Sequence, residues 1–324
     1  MKNSFWQVIR GICILMVILI HTLYLNDSIT VLYFNIIIRR VINFCTAVFI
    51  FMSGYFSKYD NLKNFYKKKI NRLLFPLVVW NIIYSFIYYK RNDVGLGILI
   101  KNFLLVKTSP QLYYIVVLIQ LFILCPLLLK FIRCSSKKIL FLPLLITPLY
   151  VIFITAFYVI FKRSFYLYNY WFFGWISFYY LGLLYKENKI TPIIITNSVK
   201  LLLIITIFFS LLEGVLIEKV FSLYELSVSQ LTLSNSIYSI VLCIILYNKK
   251  TCGIKARLLC EIGNYSFGIY LSHMIFLRIF KKISDLIGFN YLTSIVFIFS
   301  LTVFFAYVLN GFYYNKFKRK FIRV

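Results

Sequence analysis

The segment RGICILMVILIH, residues 10–21, decides how this chain folds. A run of apolar residues and one glycine separates Arg10 from His21, and it belongs to a candidate span over residues 8–26. About 20 apolar residues in a helix can cross the ~30 Å hydrocarbon core of a bilayer. A helix satisfies its own backbone hydrogen bonds inside lipid, so the segment predicts a transmembrane helix.

Similar segments recur along the whole chain. The composition is 62% hydrophobic, with 9 acidic and 36 basic residues, too little polar surface for a soluble protein of 324 residues. We expect an all-α polytopic membrane protein: one bundle of about ten transmembrane helices and a single domain, residues 1–324, without a separate soluble domain. The predicted spans are 8–26, 36–56, 73–89, 112–132, 138–161, 168–186, 193–213, 230–248, 262–281 and 290–313.

The net charge of +27 indicates membrane topology rather than nucleic-acid binding. Cytoplasmic loops of membrane proteins carry an excess of Lys and Arg. Both termini are therefore predicted to be cytoplasmic, with the basic clusters contacting anionic lipids. Arg39 and Arg40, which lie within the second span, are counted only as topology charges. The main basic clusters are residues 58–72, 130–138, 249–257 and 316–323.

Arg10 and His21 share one face of the predicted first helix. Eleven residues at ~100° each complete about three turns, so the two positions lie ~16 Å apart along the axis. Near the cytoplasmic surface, the Arg10 guanidinium suits a phosphate or carboxylate. Deeper in the membrane, the His21 imidazole suits a general base, acid or nucleophile. The alternative is that Arg10 snorkels to the interface and His21 makes a structural helix contact.

The second of the two histidines lies in IGNYSFGIYLSHMIFL, residues 262–277. Ser266, Tyr270 and His273 are spaced by four and three residues, so they lie on one helix face. This stripe is a candidate for binding substrate in the bundle interior. The alternative, which the spacing alone favours, is hydrogen bonding between helices.

Two basic residues stand one turn apart where the predicted third span begins. Lys69 and Arg72, in KKKINRLLFPLVVW, are candidates for binding phosphates at the cytoplasmic mouth, although each alone also fits a topology charge. Ser53, in FMSGYF, lacks a nucleophile elbow and is expected to bond back into its helix. Gly54 beside it allows close backbone approach.

The acidic residues and cysteines indicate no further site. Asp27, Glu213 and Glu218 lie toward the outer side, and any of them could orient an imidazole. The spacing selects none of the three. No Cys/His cluster has the spacing of a metal site, so no metal is expected.

Taken in order, these motifs resemble acyltransferase family 3, the bacterial integral-membrane O-acyltransferases that modify cell-surface polysaccharides. The resemblance covers almost the whole chain. It rests on Arg10 and His21, FIFMSGYF at residues 49–56, and Lys69 and Arg72 before Pro76. It continues through LYYIVVLIQLFILCPLL at 112–128, FYYLGLLY at 178–185 and IGNYSFGIYLSHMIF at 262–276.

The resemblance implies a location in the bacterial cytoplasmic membrane and a reaction. An acyl-CoA donor, expected to be acetyl-CoA, would be used from the cytoplasmic side, with no permanently bound cofactor. The acceptor would be a hydroxyl of a surface or lipid-linked polysaccharide. Arg10 and His21 match the catalytic positions of the family. Lys69 departs from the Arg-x-x-Arg pattern and loses bidentate phosphate recognition, whereas Arg72 keeps it.

Two other functions use the same residues differently. A transporter or flippase of a lipid-linked saccharide would line its passage with these polar groups. Such proteins often carry more interior charge or paired broken helices, and neither is evident in this sequence. A non-catalytic scaffold would leave the spacing of Arg10 and His21 unexplained. We therefore expect an acyltransferase with its catalytic base at His21.

Overall fold

The computed structural model describes residues 4–23, 28–57, 61–92, 95–136, 138–249 and 256–321. Asp27 and Cys252 lie outside these ranges, and so does the side chain of Lys69. The protein is 83% helical, and the described residues form no strand. The all-α prediction is therefore confirmed.

Thirteen helices follow one another along the described residues. They are α1 (Ser4–Thr22), α2 (Ile29–Ile42), α3 (Phe44–Tyr55), α4 (Leu62–Asn92), α5 (Leu96–Leu104), α6 (Tyr113–Cys134), α7 (Ile146–Phe161), α8 (Ile176–Lys186), α9 (Asn197–Phe221), α10 (Tyr224–Ser227), α11 (Leu233–Asn248), α12 (Arg257–Ile287) and α13 (Tyr291–Phe321). Short 3₁₀ turns lie between some of them, at Pro110–Leu112, Leu142–Leu145, Tyr168–Tyr170 and Phe172–Gly174.

Seven segments within the described ranges are long and apolar enough to cross a membrane. Helices α8 and α11 coincide with two predicted spans but are shorter than a full crossing, so the count of ten stays a prediction. Many large side chains on the outside of the bundle are apolar, as a lipid-facing surface requires. The seven segments are Ser4–Thr22, Ile29–Tyr55, Asn64–Tyr89, Pro110–Cys134, Leu142–Phe161, Asn197–Phe221 and Tyr291–Phe312.

The second span differs from its predicted bounds, residues 36–56. Helix α2 begins seven residues earlier, at Ile29, because residues 29–34 are mostly apolar and Asn35 does not end the helix. The Asn35 side-chain oxygen instead accepts a hydrogen bond from the Tyr291 hydroxyl. The span is interrupted at Asn43, whose side chain donates to backbone carbonyls of the loop before α11.

The sixth predicted span, residues 168–186, is helical in regular α form only from Ile176. The aromatic segment before it forms two 3₁₀ turns, and the side chain of Gln120 on α6 satisfies their backbone. Gln120 donates to the Tyr170 carbonyl at 2.8 Å and accepts from the Phe172 amide at 3.0 Å. Irregular backbone is tolerated at membrane depth when other parts of the protein supply such partners.

Glycines set the closest helix crossings. A Cβ atom built on Gly11 would meet the Leu259 carbonyl, and one built on Gly263 would meet the Gln7 carbonyl, so α1 and α12 touch backbone to backbone. Gly54 of α3 faces α8 in the same way, as the sequence predicted for close packing. Small residues allow such approach in membranes, where van der Waals packing drives helix association. Helix α1 contacts both α12 and α3, so it lies between these two helices.

A fully buried arginine, Arg40, joins α2 to the chain between α9 and α11. Its guanidinium donates to the Ser227 carbonyl and the Thr232 hydroxyl, both at 2.5 Å, and forms an ion pair with Glu213 at 3.3 Å. The Glu213 carboxylate also accepts from the Ser234 hydroxyl and amide. The Glu213 carboxylate therefore belongs to a structural network and is not the group that orients a histidine.

Arg40→Leu is expected to destabilise the fold by about 3–5 kcal/mol, because the half-buried Glu213 carboxylate loses its cationic partner. The double variant Arg40→Leu/Glu213→Leu removes both charges, and we expect it to recover part of that loss. Thermal unfolding midpoints in detergent micelles measure both effects. Equal midpoints for the wild type and Arg40→Leu would contradict the structural role of this ion pair.

Candidate active site

The first helix carries its two candidate residues in one unbroken segment. Arg10 and His21 both lie in α1, so the helical spacing predicted for them is confirmed. Both side chains are partly buried. We call the two ends of the bundle the Arg10 end and the His21 end, after these residues.

A cavity of about 280 Å³ lies at the Arg10 end. Helices α1, α3, α4, α6 and α12 line it, and both Arg10 and Arg72 contribute side chains. Two positive charges from distant parts of the sequence therefore meet at one opening. The other polar lining residues are Ser53, Tyr114, Asn264, Ser266 and Tyr270.

Arg10 sits at the wall of this cavity without an acidic partner. Its guanidinium carbon lies 5.5 Å from the centroid of the Phe56 ring, a cation–π contact at the end of α3. Its electrostatic neighbours include Tyr114 and Arg72, and no ion pair in the described part of the chain includes Arg10. A partly buried cation of this kind is suited to an anionic ligand.

The predicted pair Lys69 and Arg72 is placed only in part. Arg72 is exposed on α4 and lines the same cavity as Arg10. The Lys69 side chain lies outside the described residues. Ser53 donates its hydroxyl to the Phe49 carbonyl at 2.9 Å, so the prediction that it bonds back into its helix is confirmed.

The two histidines of the chain lie side by side. The ring centroids of His21 and His273 are 5.4 Å apart, with the ring planes at 42°. The spacing along the sequence does not join the two residues, so this pairing was not predicted. The signal was present in Gly11 and Gly263, which bring α1 and α12 into backbone contact.

His273 is fully buried, and its hydrogen bonds define its tautomer. Its Nδ1 lies 2.7 Å from the Tyr270 carbonyl and 3.3 Å from the Ile269 carbonyl. Carbonyl oxygens only accept, so Nδ1 carries the proton and Nε2 of the neutral ring presents a lone pair. Nε2 is buried without a hydrogen-bond partner. The ring is thus oriented like a base or acceptor beside His21.

Ser266, Tyr270 and His273 form a stripe on one face of α12, as their spacing predicted. Ser266 and Tyr270 line the cavity, and the Tyr270 ring lies 5.2 Å from Tyr114 and 5.8 Å from His273. The Tyr270 hydroxyl donates to the Gln111 carbonyl, so its hydrogen is already used. His21 does not line the cavity. A row of rings therefore leads from the cavity to the histidine pair.

The groups that surround His21 are basic rather than acidic. Its titratable neighbours are His273 and Arg39, and sequence reasoning missed Arg39 as a site residue. Glu213 is bound to Arg40, and one oxygen of Glu218 is buried without a hydrogen-bond partner. Asp27, the third acidic candidate, lies outside the described residues. The described residues contain no cluster of His, Cys, Asp and Glu that could hold a metal ion.

Comparison with protein-family models matches this chain to the acyltransferase domain of acyltransferase family 3. The match covers residues 3–311, nearly the whole chain. The chain belongs to acyltransferase family 3. Comparisons with curated proteins and with solved structures found no match.

Membership of acyltransferase family 3 and the seven apolar segments together make this chain a multi-pass membrane acyltransferase. The family match includes the two charged elements of the cavity, Arg10 and Arg72, and both histidines of the pair. It extends through α12 and into α13, so the helices that build the cavity belong to the family domain.

Proposed function

We propose that this acyltransferase moves an acetyl group from acetyl-CoA to a hydroxyl of a cell-surface or lipid-linked polysaccharide. One observation carries the proposal: a cavity with Arg10 and Arg72 at its wall lies at one end of a row of side chains that ends at two adjacent histidines. Two cations suit the phosphates of a CoA donor, and an imidazole suits proton transfer during attack on its thioester.

The donor would bind at the Arg10 end, which faces the cytoplasm in the topology that the basic clusters predict. Arg10 and Arg72 would hold its phosphates, with Lys69 adding charge but not a bidentate contact. The pantetheine arm would extend along α1 and α12 toward the His21 end. The protein would lie in the cytoplasmic membrane of a bacterial cell, with both termini in the cytoplasm.

Transfer would proceed by direct attack of the acceptor hydroxyl on the thioester carbonyl carbon. His21 takes the hydroxyl proton as the oxygen–carbon bond forms. The carbon–sulfur bond then breaks, CoA leaves as a thiolate, and the imidazolium returns the proton to that sulfur. In a variant of this route, the His21 imidazole attacks the thioester carbonyl and CoA leaves as a thiolate. The acceptor hydroxyl then attacks the acyl carbon, the imidazole leaves, and the hydroxyl proton passes to the CoA sulfur.

The stripe on α12 would position the reacting groups. Ser266 and Tyr270 stand where the donor arm enters, and His273 stands beside the base. Because the Tyr270 hydroxyl already donates to the Gln111 carbonyl, we assign Tyr270 a positioning role. His21 does not line the cavity, so the Tyr270 or Tyr114 ring must move for the donor arm to reach it.

Membranes that contain the protein test this function directly. They are incubated with acetyl-CoA labelled in the acetyl group, and label in the glycan fraction is released with mild alkali, which cleaves esters. We expect alkali-labile label that depends on the protein. Incorporation no higher than in membranes without the protein would overturn the proposal, and saccharide movement without acetylation would favour a flippase.

Arg10→Gln is expected to weaken acetyl-CoA binding by about 10–100-fold, because a charge-assisted hydrogen bond to phosphate contributes about 1.5–3 kcal/mol. Arg257→Gln is the matched control, since it removes one positive charge from an exposed side chain whose ion pair, among the described residues, is with Glu261 in its own helix. Isothermal titration of the purified protein with acetyl-CoA measures both affinities. Equal affinities of the two variants would contradict a phosphate role for Arg10.

A further inference from the structure

Arg39 occupies a polar setting that the proposed donor site does not use. It lies on α2 as an electrostatic neighbour of His21. Its own electrostatic neighbours are Tyr224, Tyr168 and Tyr291. These three tyrosines come from three different connections: α10 before α11, the turn before α8, and the start of α13. Three phenol groups thus lie within electrostatic range of one guanidinium, and Tyr291 is fixed there by its hydrogen bond to Asn35, one turn before Arg39.

The charge of Arg39 is not balanced by an acidic side chain within the described part of the chain. None of the ion pairs there includes Arg39, and its Nε is buried without a hydrogen-bond partner. Its guanidinium interacts with the Tyr224 hydroxyl rather than with a carboxylate. The next residue, Arg40, shows the contrast, because it is saturated by Glu213, Thr232 and backbone carbonyls.

An unbalanced cation in a membrane protein is costly to keep and usually marks a ligand or ion path. Arg40 already fixes α2 to the loop before α11, so Arg39 is not needed for that attachment. The unbonded Arg39 Nε is instead available to an anionic oxygen of a ligand.

The Arg39 cluster lies at the opposite end of the bundle from the donor cavity. Arg39 stands fourteen residues before Ser53, which lines that cavity, and this spacing corresponds to ~21 Å of helical rise. Arg39 therefore lies at about the depth of His21, at the His21 end of the bundle. A ligand at Arg39 would lie beside the base and away from the cavity that holds Arg10 and Arg72.

The side chains of this cluster combine partial exposure with a chemistry that suits a saccharide. Arg39, Tyr168, Tyr224, Tyr291 and His21 are all partly exposed, although individual atoms among them are buried. Tyrosine offers an apolar ring face and a polar hydroxyl, a combination that suits a saccharide with its alternating C–H and O–H surfaces.

We propose that Arg39, together with Tyr168, Tyr224 and Tyr291, binds the acceptor, and that this acceptor is an acidic saccharide. Its carboxylate or phosphate contacts Arg39 while the hydroxyl to be acylated points at His21. This inference rests on the proposed acyl transfer and adds to it the charge of the acceptor. Carboxylate and phosphate share the anionic oxygens that a guanidinium recognises.

Binding of small sugars to the purified full chain tests the inference. Saturating CoA is present throughout, so that Arg10 and Arg72 are occupied. The probes are methyl glucuronide for a carboxylate, glucose 6-phosphate for a phosphate, and methyl glucoside as the neutral match. We expect the wild type to bind at least one anionic probe about tenfold more tightly than methyl glucoside, and the preferred probe identifies the acidic group.

Arg39→Gln is expected to abolish this preference, and Arg39→Lys is expected to restore most of it. Acetyl-CoA affinity is expected to stay at the wild-type value in both variants, whereas Arg10→Gln should show the reverse pattern. A wild type that does not prefer an anionic probe, or an Arg39→Gln variant that keeps the preference, would overturn the inference. A wild type that binds no acetyl-CoA would instead overturn the proposed function.

A measurement without mutation covers the case in which the variants fail to fold. Phenylglyoxal modifies accessible arginines, and mass spectrometry locates the modified residues. With CoA bound, the preferred anionic probe should protect Arg39 of the wild type, and methyl glucoside should not. Equal modification of Arg39 with both probes, or no difference from the protein without a probe, would also overturn the inference.

Discussion

His21→Ala is expected to lower the rate of acetyl transfer by about 10²–10⁴-fold, the usual contribution of a positioned general base. Acetyl-CoA affinity should stay near the wild-type value, because Arg10 and Arg72 lie at the other end of the bundle. The measurement is the initial rate at which alkali-labile label from acetyl-CoA enters the glycan fraction of membranes, normalised to the amount of folded protein.

Two controls separate a catalytic role from a structural one. Added imidazole should raise the rate of His21→Ala, because it can occupy the space left by the ring and supply the missing base. His273→Ala should lose less activity, since the buried His273 is assigned a positioning role. If His273→Ala lost more than His21→Ala, or if His21→Ala transferred at the wild-type rate, the assignment of the base to His21 would be wrong.

The parts of the site that depend on one helix were predictable from the sequence. Arg10 and His21 lie on one unbroken helix, and Ser266, Tyr270 and His273 form one stripe, because helical periodicity is a local property. The all-α membrane fold follows from the apolar segments in the same way. These features need no knowledge of which helices touch.

Features that depend on helix crossings were not predictable from one sequence. The pairing of His21 with His273 requires α1 to cross α12 at Gly11 and Gly263. Both glycines are visible in the sequence, but nothing local says that each faces the backbone of the other helix. The meeting of Arg10 with Arg72 at one cavity has the same origin, since it depends on how α4 packs.

Arg39 was misjudged for a different reason. The sequence presents Arg39 and Arg40 as an adjacent basic pair within a span, which is the pattern of a topology signal. Adjacent helical residues differ by ~100° in direction, so the two side chains enter different surroundings. Arg40 meets Glu213, and Arg39 faces the tyrosines near His21. Only the arrangement of α9, α10 and α13 around α2 separates their roles.

The crossing of α1 and α12 is expected to fail in Gly263→Leu. A Cβ at this position overlaps the Gln7 carbonyl, which is backbone and cannot rotate away, so the two helices must separate. Overpacking of this kind typically costs about 1–3 kcal/mol, and here it opposes the ~1 kcal/mol that leucine gains over glycine in helix propensity. We expect a lower unfolding midpoint and loss of acyl transfer, because separation also parts His21 from His273.

Gly97→Leu is the matched control for this prediction. Gly97 lies in helix α5, and a Cβ built on it meets no other atom within 4 Å, so the same substitution gains helix propensity without a clash. Its unfolding midpoint and transfer rate are expected to equal or exceed those of the wild type. Because both variants add the same side chain to a helix, any difference between them reports the backbone contact at Gly263. If Gly263→Leu melted and transferred acetyl groups like Gly97→Leu, that contact would not hold the histidine pair together.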